Sequence, residues 1–486
     1  PTASGKTLAF NIPVFEKLIQ NNKASAMYIY PAKALANDQL KSMKELEKYC
    51  GTKLNPAVYD GDTPKEQKRK IRKESRIIIT NPYELHNVLP WHHQWENFLS
   101  NLKFVVIDEA HQYRGVFGSN VAFLIRRFLR ICNYYGSNPQ FVLSTATLAN
   151  PIEFSEKLTG LKFELISQDG SPKGKKHFIF YNPYFDGKGK TTTHVESQNL
   201  FQLFILNNLQ TLCFTTSRKM AELIARRSKK EISQIDGALA EKVSAYRAGY
   251  LAKDRRKIEN QLKNGEMRGV TATNALELGI DIGSLDAVVI SGYPGTIMST
   301  WQQAGRAGRG TDDSIVTFVA FQNPLDQYFM KHPTVFFDKP HEHAIIDLTN
   351  PHIIEGHLMC AAKEMPVNPN LIKIDFESSL DDHIKSLASK KLIEKSSDTW
   401  VYSGTDYPPF KVNLGSISSE IFKVYNKGKL LETMDKRQAY TEAHQGAVLI
   451  NQGETYIVYD FNLVTNTIKV AKKDLDSHTS VQKDIE

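Results

Sequence analysis

Phe104-Val105-Val106-Ile107-Asp108-Glu109-Ala110-His111 sets four apolar, strand-forming residues directly before two acids. An apolar run of this kind suits a strand buried on both faces of a parallel sheet. The carboxyl end of such a strand is where open α/β sheets gather their ligands. Three runs of similar character share the first third of the chain: Ala26-Met27-Tyr28-Ile29-Tyr30, Arg76-Ile77-Ile78-Ile79-Thr80 and Gln140-Phe141-Val142-Leu143-Ser144. Amphipathic stretches such as residues 33–49 lie between them, and this alternation predicts βαβ units.

The pattern predicts an α/β protein with two tandem parallel-sheet domains, residues 1–167 and 177–340, with a ligand cleft between them. The polar, glycine- and lysine-rich residues 168–176 read as their linker. In the second domain the strand runs are Phe178-Ile179-Phe180, Leu212-Cys213-Phe214, Gly269-Val270-Thr271, Ala287-Val288-Val289-Ile290 and Ile315-Val316-Thr317-Phe318-Val319. Residues 350–405 change character, with two helical runs followed by Lys391-Leu392-Ile393-Glu394-Lys395, a turn and Thr399-Trp400-Val401-Tyr402. Helices followed by such a hairpin predict a winged-helix-like region; a small α+β connector is the alternative. Residues 412–475 read as a small β-rich region, with strands at Ala447-Val448-Leu449-Ile450, Glu454-Thr455-Tyr456-Ile457-Val458-Tyr459 and Thr467-Ile468-Lys469-Val470.

Composition agrees with a globular chain of several domains. Of 486 residues, 41% are hydrophobic and 23% charged, and no apolar run reaches the roughly 18 to 20 residues that span a bilayer. No secretory signal is visible. Lys and Arg number 61 against 53 Asp and Glu, a net charge of +8, which favours a polyanionic partner. Cys50, Cys132, Cys213 and Cys360 stand too far apart for a zinc site or a disulfide framework. Cys213, within an apolar run, reads as a buried small hydrophobe.

The chemistry-bearing residues follow in order. Gly5-Lys6-Thr7 closes a phosphate loop: backbone N–H groups wrap phosphates, Lys6 balances β/γ charge, and the Thr7 hydroxyl ligates Mg²⁺ at a helix N-terminus. Asp108 is suited to hold the same Mg²⁺ through water, and Glu109 to polarise the water that attacks the γ-phosphate. Arg306 and Arg309, three apart in Gln302-Gln303-Ala304-Gly305-Arg306-Ala307-Gly308-Arg309, share a helix face and suit bidentate capture of that phosphate. Set on the second domain, they would act only when the cleft closes, which makes hydrolysis conditional on domain movement.

With Thr145-Ala146-Thr147 and Thr273-Asn274-Ala275-Leu276-Glu277-Leu278-Gly279-Ile280-Asp281 between them, these elements resemble those of superfamily 2 helicases of the DEAD/DEAH type. The resemblance covers residues 1–321 and implies two RecA-like domains using ATP and Mg²⁺. It assigns Gly5, Lys6, Thr7, Asp108, Glu109, Gln302, Arg306 and Arg309 to the ATPase, with Gly279 and Asp281 near the nucleotide. His111, Thr145 and Thr147 fall to the coupling of hydrolysis to strand movement. Nucleic-acid contacts are implied at Lys33, Asp60, Gly61, Thr80, Thr215, Ser217, Arg218 and Thr273, on loops at the opposite rim of the sheets from the nucleotide. Hydroxyls, amides and a few cations beside glycine or proline turns suit gripping phosphates without reading bases.

Three further stretches are similar to the group of the bacterial mitomycin-repair helicase and its fungal RecQ-like relatives. They are His111-Gln112-Tyr113-Arg114-Gly115-Val116-Phe117-Gly118-Ser119, Tyr293-Pro294-Gly295-Thr296 and Asn323-Pro324-Leu325-Asp326-Gln327-Tyr328. This implies a DNA helicase moving 3′ to 5′ in DNA repair, on single-stranded DNA or duplex with a single-stranded tail. Its place would be the cytoplasm or nucleoid of a bacterium, or the nucleus of a eukaryote, with no membrane association. The group's C-terminal cysteine-rich zinc module has no counterpart before Glu486. The strand leading into the phosphate loop would precede Pro1, and without it the chain is expected to be poorly stable and catalytically weak. An RNA helicase and a non-catalytic nucleic-acid scaffold with a vestigial ATP site are the alternative readings. The aromatic Trp91-His92-His93-Gln94-Trp95 reads as a surface loop.

Overall fold

The computed structural model describes residues 5–146, 148–171, 174–185, 191–247, 249–277, 282–283, 285–308, 312–338, 342–369, 372, 376, 380–415 and 421–473. Of the sequence-predicted site residues, Thr147, Gly279, Asp281 and Arg309 lie outside them. The first sheet holds β1 (Ser25–Ile29), β2 (Ala57–Val58), β3 (Ile77–Thr80), β4 (Leu102–Ile107) and β5 (Gln140–Leu143), all parallel, in the order β2-β3-β1-β4-β5. The second holds β6 (Lys176–Tyr181), β7 (Thr211–Thr215), β8 (Val243–Tyr246), β9 (Gly269–Ala272), β10 (Ala287–Ser291) and β11 (Ser314–Val319), also parallel, in the order β6-β11-β10-β7-β9-β8. A hairpin of β12 (Ile393–Ser396) and β13 (Thr399–Tyr402) forms the wing. β14 (Ile421–Asn426), β15 (Lys429–Asp435), β16 (Val448–Asn451), β17 (Glu454–Asn462) and β18 (Thr467–Lys472) build the C-terminal sheet, in the order β15-β14-β18-β17-β16.

Burial explains most of this layout. β1, β3, β7, β9 and β10 are buried along their whole length, as central strands covered on both faces must be. β6 alternates partly buried with exposed residues because it is an edge strand, and it corrects the expected linker: Lys176 is already paired, with Ser314. β2 and β8 were not visible in the sequence; both are short edge strands. Several helices start on an Asn-Pro pair. Asn81, Asn323 and Asn350 each accept a backbone N–H with the side-chain oxygen, and the proline supplies the fixed φ of the first turn. Cys213 is fully buried, as expected of a small hydrophobe. No helix among the described residues is long and apolar enough to cross a membrane.

The chain forms two compact units, and each combines distant segments. One joins Ser4–Asp169 to His341–Ile417, so the winged-helix region packs on the first parallel-sheet domain. A fully buried ion pair fastens it: Arg127, on the helix Gly115–Tyr134, meets Glu364 at the end of the helix Pro351–Glu364. Arg127 Nε donates to Glu364 Oε1 at 3.1 Å, while Nη1 donates to His86 Nδ1 at 3.1 Å and His357 Nδ1 at 3.0 Å. Because a guanidinium only donates, both imidazoles accept through Nδ1 and carry their proton on Nε2. From there His86 donates to Pro409 O at 3.1 Å and His357 to Asn120 Oδ1 at 3.2 Å. Burial and the neighbouring Arg127 charge hold both histidines neutral, far below the usual imidazole range.

The other unit joins Gly170–Pro340 to Ser418–Glu486. Here Arg247 lies 3.0 Å from Glu222 of the second parallel-sheet domain and 3.3 Å from Glu432 of the C-terminal sheet. Glu222 also accepts the backbone N–H groups of Gln452, at 3.2 Å, and Gly453, at 3.0 Å, together with the Tyr250 hydroxyl. These donors give Glu222 the partners that an arginine shared with Glu432 cannot.

Candidate nucleotide and nucleic-acid site

Gly5 caps the helix Lys6–Gln20 at φ 71, a left-handed turn that suits glycine. Its carbonyl accepts from Leu8 N and Ala9 N, so the chain turns straight from loop into helix. Lys6 Nζ donates to Thr145 O at 3.0 Å, which brings the phosphate loop to the end of β5. Thr7 stands beside it, partly buried.

Asp108 lies at the end of β4 and is 7% exposed. Its Oδ1 accepts the Ser144 hydroxyl at 2.5 Å and the Glu109 N–H at 2.9 Å. Burial, and then the Glu109 charge, push the Asp108 carboxyl up to about 6; Ser144, the Glu109 N–H and Lys6 act in the opposite direction. A buried carboxyl held back from ionising, as Asp108 is, is suited to a divalent cation, whose charge would offset both the burial and the repulsion from Glu109. The donor set therefore fits Mg²⁺ held through Asp108 and Thr7. Ser144, which sequence reasoning missed, directly precedes Thr145, and only the pairing of β4 with β5 brings it to Asp108.

Glu109 takes a left-handed turn at φ 51. Its carboxylate lies 3.4 Å from His111 Nδ1, the distance of an ion pair. The imidazole is nevertheless neutral, since burial, Lys6 and Arg114 bring its pKa down to about 3. Nδ1 accepts the Ala146 N–H at 3.1 Å. Thus His111, two residues after the acid pair, is hydrogen-bonded directly to the backbone that follows β5.

In the second unit, Gln302 and Arg306 are 4% and 2% exposed. Arg306 Nη2 donates to Glu277 O at 2.7 Å, and Gln303 Nε2 to Glu277 Oε2 at 2.9 Å. Glu277 was overlooked as an organiser of this element, although it stands four residues before Asp281.

The first sheet corrects the rim expected for nucleic-acid contacts. Because its strands are all parallel, Lys33, Asp60 and Thr80 follow the same carboxyl ends as Asp108 and Thr145. Strand order separates them instead: β2, β3 and β1 carry the loops, β4 the acid pair and β5 Ser144 and Thr145. In the second sheet the expected separation is present. Thr215 and Thr273 follow the carboxyl ends of β7 and β9, while Ala307 bridges to Leu285 just before β10, at the amino rim.

Several implied contacts are otherwise engaged. Asp60 is 3% exposed, and its Oδ1 accepts Asp62 N at 2.9 Å and Thr63 N at 3.1 Å, so it shapes the turn at Gly61. Lys33 Nζ reaches that turn, 2.9 Å from Asp62. Thr80 is 4% exposed and faces a small apolar cavity with Met27, Tyr59 and Trp95. Thr215 donates its hydroxyl to Ser217 O at 3.0 Å, and Ser217 caps the helix Arg218–Ser233 through Met220 N. Arg218 Nη1 donates to Gln438 Oε1 of the C-terminal sheet region at 2.6 Å, so its guanidinium fastens that region to the second domain. Thr273 is buried.

Residues 1–154 match the family model DEAD/DEAH box helicase, residues 197–311 the Helicase conserved C-terminal domain, and residues 346–417 the winged helix domain of ATP-dependent helicase HRQ1. The uncharacterized ATP-dependent helicase YprA of Bacillus subtilis is 38% identical over 99% of this chain and 65% of its own length. ATP-dependent helicase hrq1 of Schizosaccharomyces pombe is 36% identical over 99% of this chain and 46% of its own. The chain thus spans about half to two thirds of these relatives. The crystal structure of the DUF1998 helicase MrfA bound to DNA and AMPPNP superposes with a TM-score of 0.93, at 38% identity, over 99% of this chain and 68% of that one. Sequence, domain order and fold agree: the chain belongs to the superfamily 2 DEAD/DEAH-box helicases, in the group of MrfA and the HRQ1 helicases.

Proposed function

We propose that this chain is the motor of an ATP-dependent DNA helicase or translocase, moving 3′ to 5′ and acting in DNA repair. The observation that carries the reading is the joining of Lys6, Asp108, Glu109 and His111 to the end of β5 through Ser144, Thr145 and Ala146. A change at the acid pair or the phosphate loop is felt directly by a strand end on the rim that also bears the candidate strand-binding loops. When bound, Mg²⁺ neutralises phosphate charge. Lys6 and the backbone after Gly5 orient the phosphates, Asp108 holds the cation, and Glu109 orients and deprotonates the attacking water. Arg306 and Arg309 stabilise the charge that develops on the γ-phosphate. DNA is the proposed track, since MrfA carries DNA in its solved complex. The place of action is the nucleoid or cytoplasm in a bacterium, or the nucleus in a eukaryote.

The test is strand displacement on duplexes bearing a 3′ tail, a 5′ tail or blunt ends, using the full-length parent. ATP-dependent displacement of the 3′-tailed DNA duplex alone is expected. Displacement confined to the 5′-tailed duplex would overturn the polarity, and displacement confined to RNA duplexes would overturn the track.

A further inference from the structure

Within residues 77–86, spanning β3 and the helix Pro82–Val88, every residue but Tyr83 is buried. Thr80 is turned inward, Asn81 Oδ1 accepts the Glu84 N–H at 3.0 Å, and Glu84 is paired with Lys68 at 2.6 Å. The polar groups that a phosphate-gripping loop would offer are therefore committed to the fold. Tyr83 is 46% exposed. One face of its ring stacks on Phe117, with centroids 5.6 Å apart and planes 18° from parallel. Phe117 in turn packs on the fully buried Tyr113 at 5.5 Å. Gly118 permits this column, since a Cβ there would lie 2.1 Å from the Tyr113 carbonyl oxygen. At its tip the Tyr83 hydroxyl is met by Gly415, where a Cβ would lie only 2.2 Å away.

We infer that Tyr83 is a stacking platform for a base of the bound single strand. This deepens the proposed function and rests on it. An aromatic ring backed on one face and bounded at its tip has its orientation fixed before a ligand arrives, so little ordering cost remains. The remaining face suits a third planar ring. Every base has a π-face, so the contact grips without selecting sequence.

Binding of fluorescein-labelled dT and dA oligonucleotides to the full-length parent tests this by anisotropy. Tyr83→Ala is expected to weaken both by roughly tenfold, whereas Tyr83→Phe, which keeps the ring, should stay within about twofold. An oligonucleotide carrying 5-iododeoxyuridine should photo-cross-link to the peptide containing Tyr83. Equal losses in the Ala and Phe variants would assign the contact to the hydroxyl and overturn stacking. An unchanged affinity in Tyr83→Ala, or cross-links only elsewhere, would overturn the contact altogether. If the parent itself binds neither oligonucleotide, the DNA reading fails and this inference with it.

Discussion

Glu109→Gln is expected to lower nucleic-acid-stimulated ATP turnover by about 10² to 10⁴-fold, the usual worth of a positioned general base, while nucleotide binding persists. The substitution keeps the side chain's shape and the left-handed turn at φ 51, and the backbone N–H that Asp108 accepts remains in place. It removes one negative charge. That charge is the second-largest cause holding the Asp108 carboxyl up, so in the variant Asp108 ionises more readily and its grip on a cation should not weaken. His111 offers no substitute base, because its Nδ1 is engaged by Ala146 N–H. Phosphate release measured beside the affinity for a fluorescent ATP analogue separates the two effects. Turnover at the parental rate would place the base elsewhere and favour a non-catalytic scaffold.

Glu364→Ala is expected to destabilise the first unit by about 3–5 kcal/mol, since it leaves the Arg127 guanidinium buried and without its counter-ion. The cost falls there because His86 and His357 are neutral acceptors and cannot take over the charge. Replacing both partners, Arg127→Met with Glu364→Leu, removes the orphaned charge and should recover most of the loss. Tryptophan fluorescence in urea reads this unit well, because Trp91, Trp95 and Trp400 all lie in it and only Trp301 lies outside. A loss below about 1 kcal/mol in Glu364→Ala would show that the ion pair does not anchor the winged-helix region.

Much of this architecture was legible in the sequence, and the reason is local. Strands such as Ile77–Thr80 and Ala287–Ser291 are apolar on both faces because both faces are covered, so their hydrophobicity declares them. The acid pair was legible because it directly ends such a strand. What escaped depends on residues far apart in the chain. Arg127 and Glu364 are 237 residues apart, and nothing near either announces that the winged-helix region returns to the first domain. The resemblance implied a nucleic-acid contact at Arg218, and nothing local points to Gln438, which it bonds 220 residues on. Thr80 and Asp60 have the right chemistry for the loop, yet their side chains turn inward, and residue type alone does not reveal direction. The short β2 and β8 carry too few residues to show a pattern.

On the proposed reading, the acid pair hydrolyses ATP in response to a DNA strand. The most direct test of this is the rate of ATP hydrolysis by the full-length parent with no nucleic acid, with single-stranded DNA, and with RNA of matched sequence. A low basal rate raised strongly by DNA and little by RNA is expected. Hydrolysis indifferent to either strand, or raised by RNA alone, would contradict it.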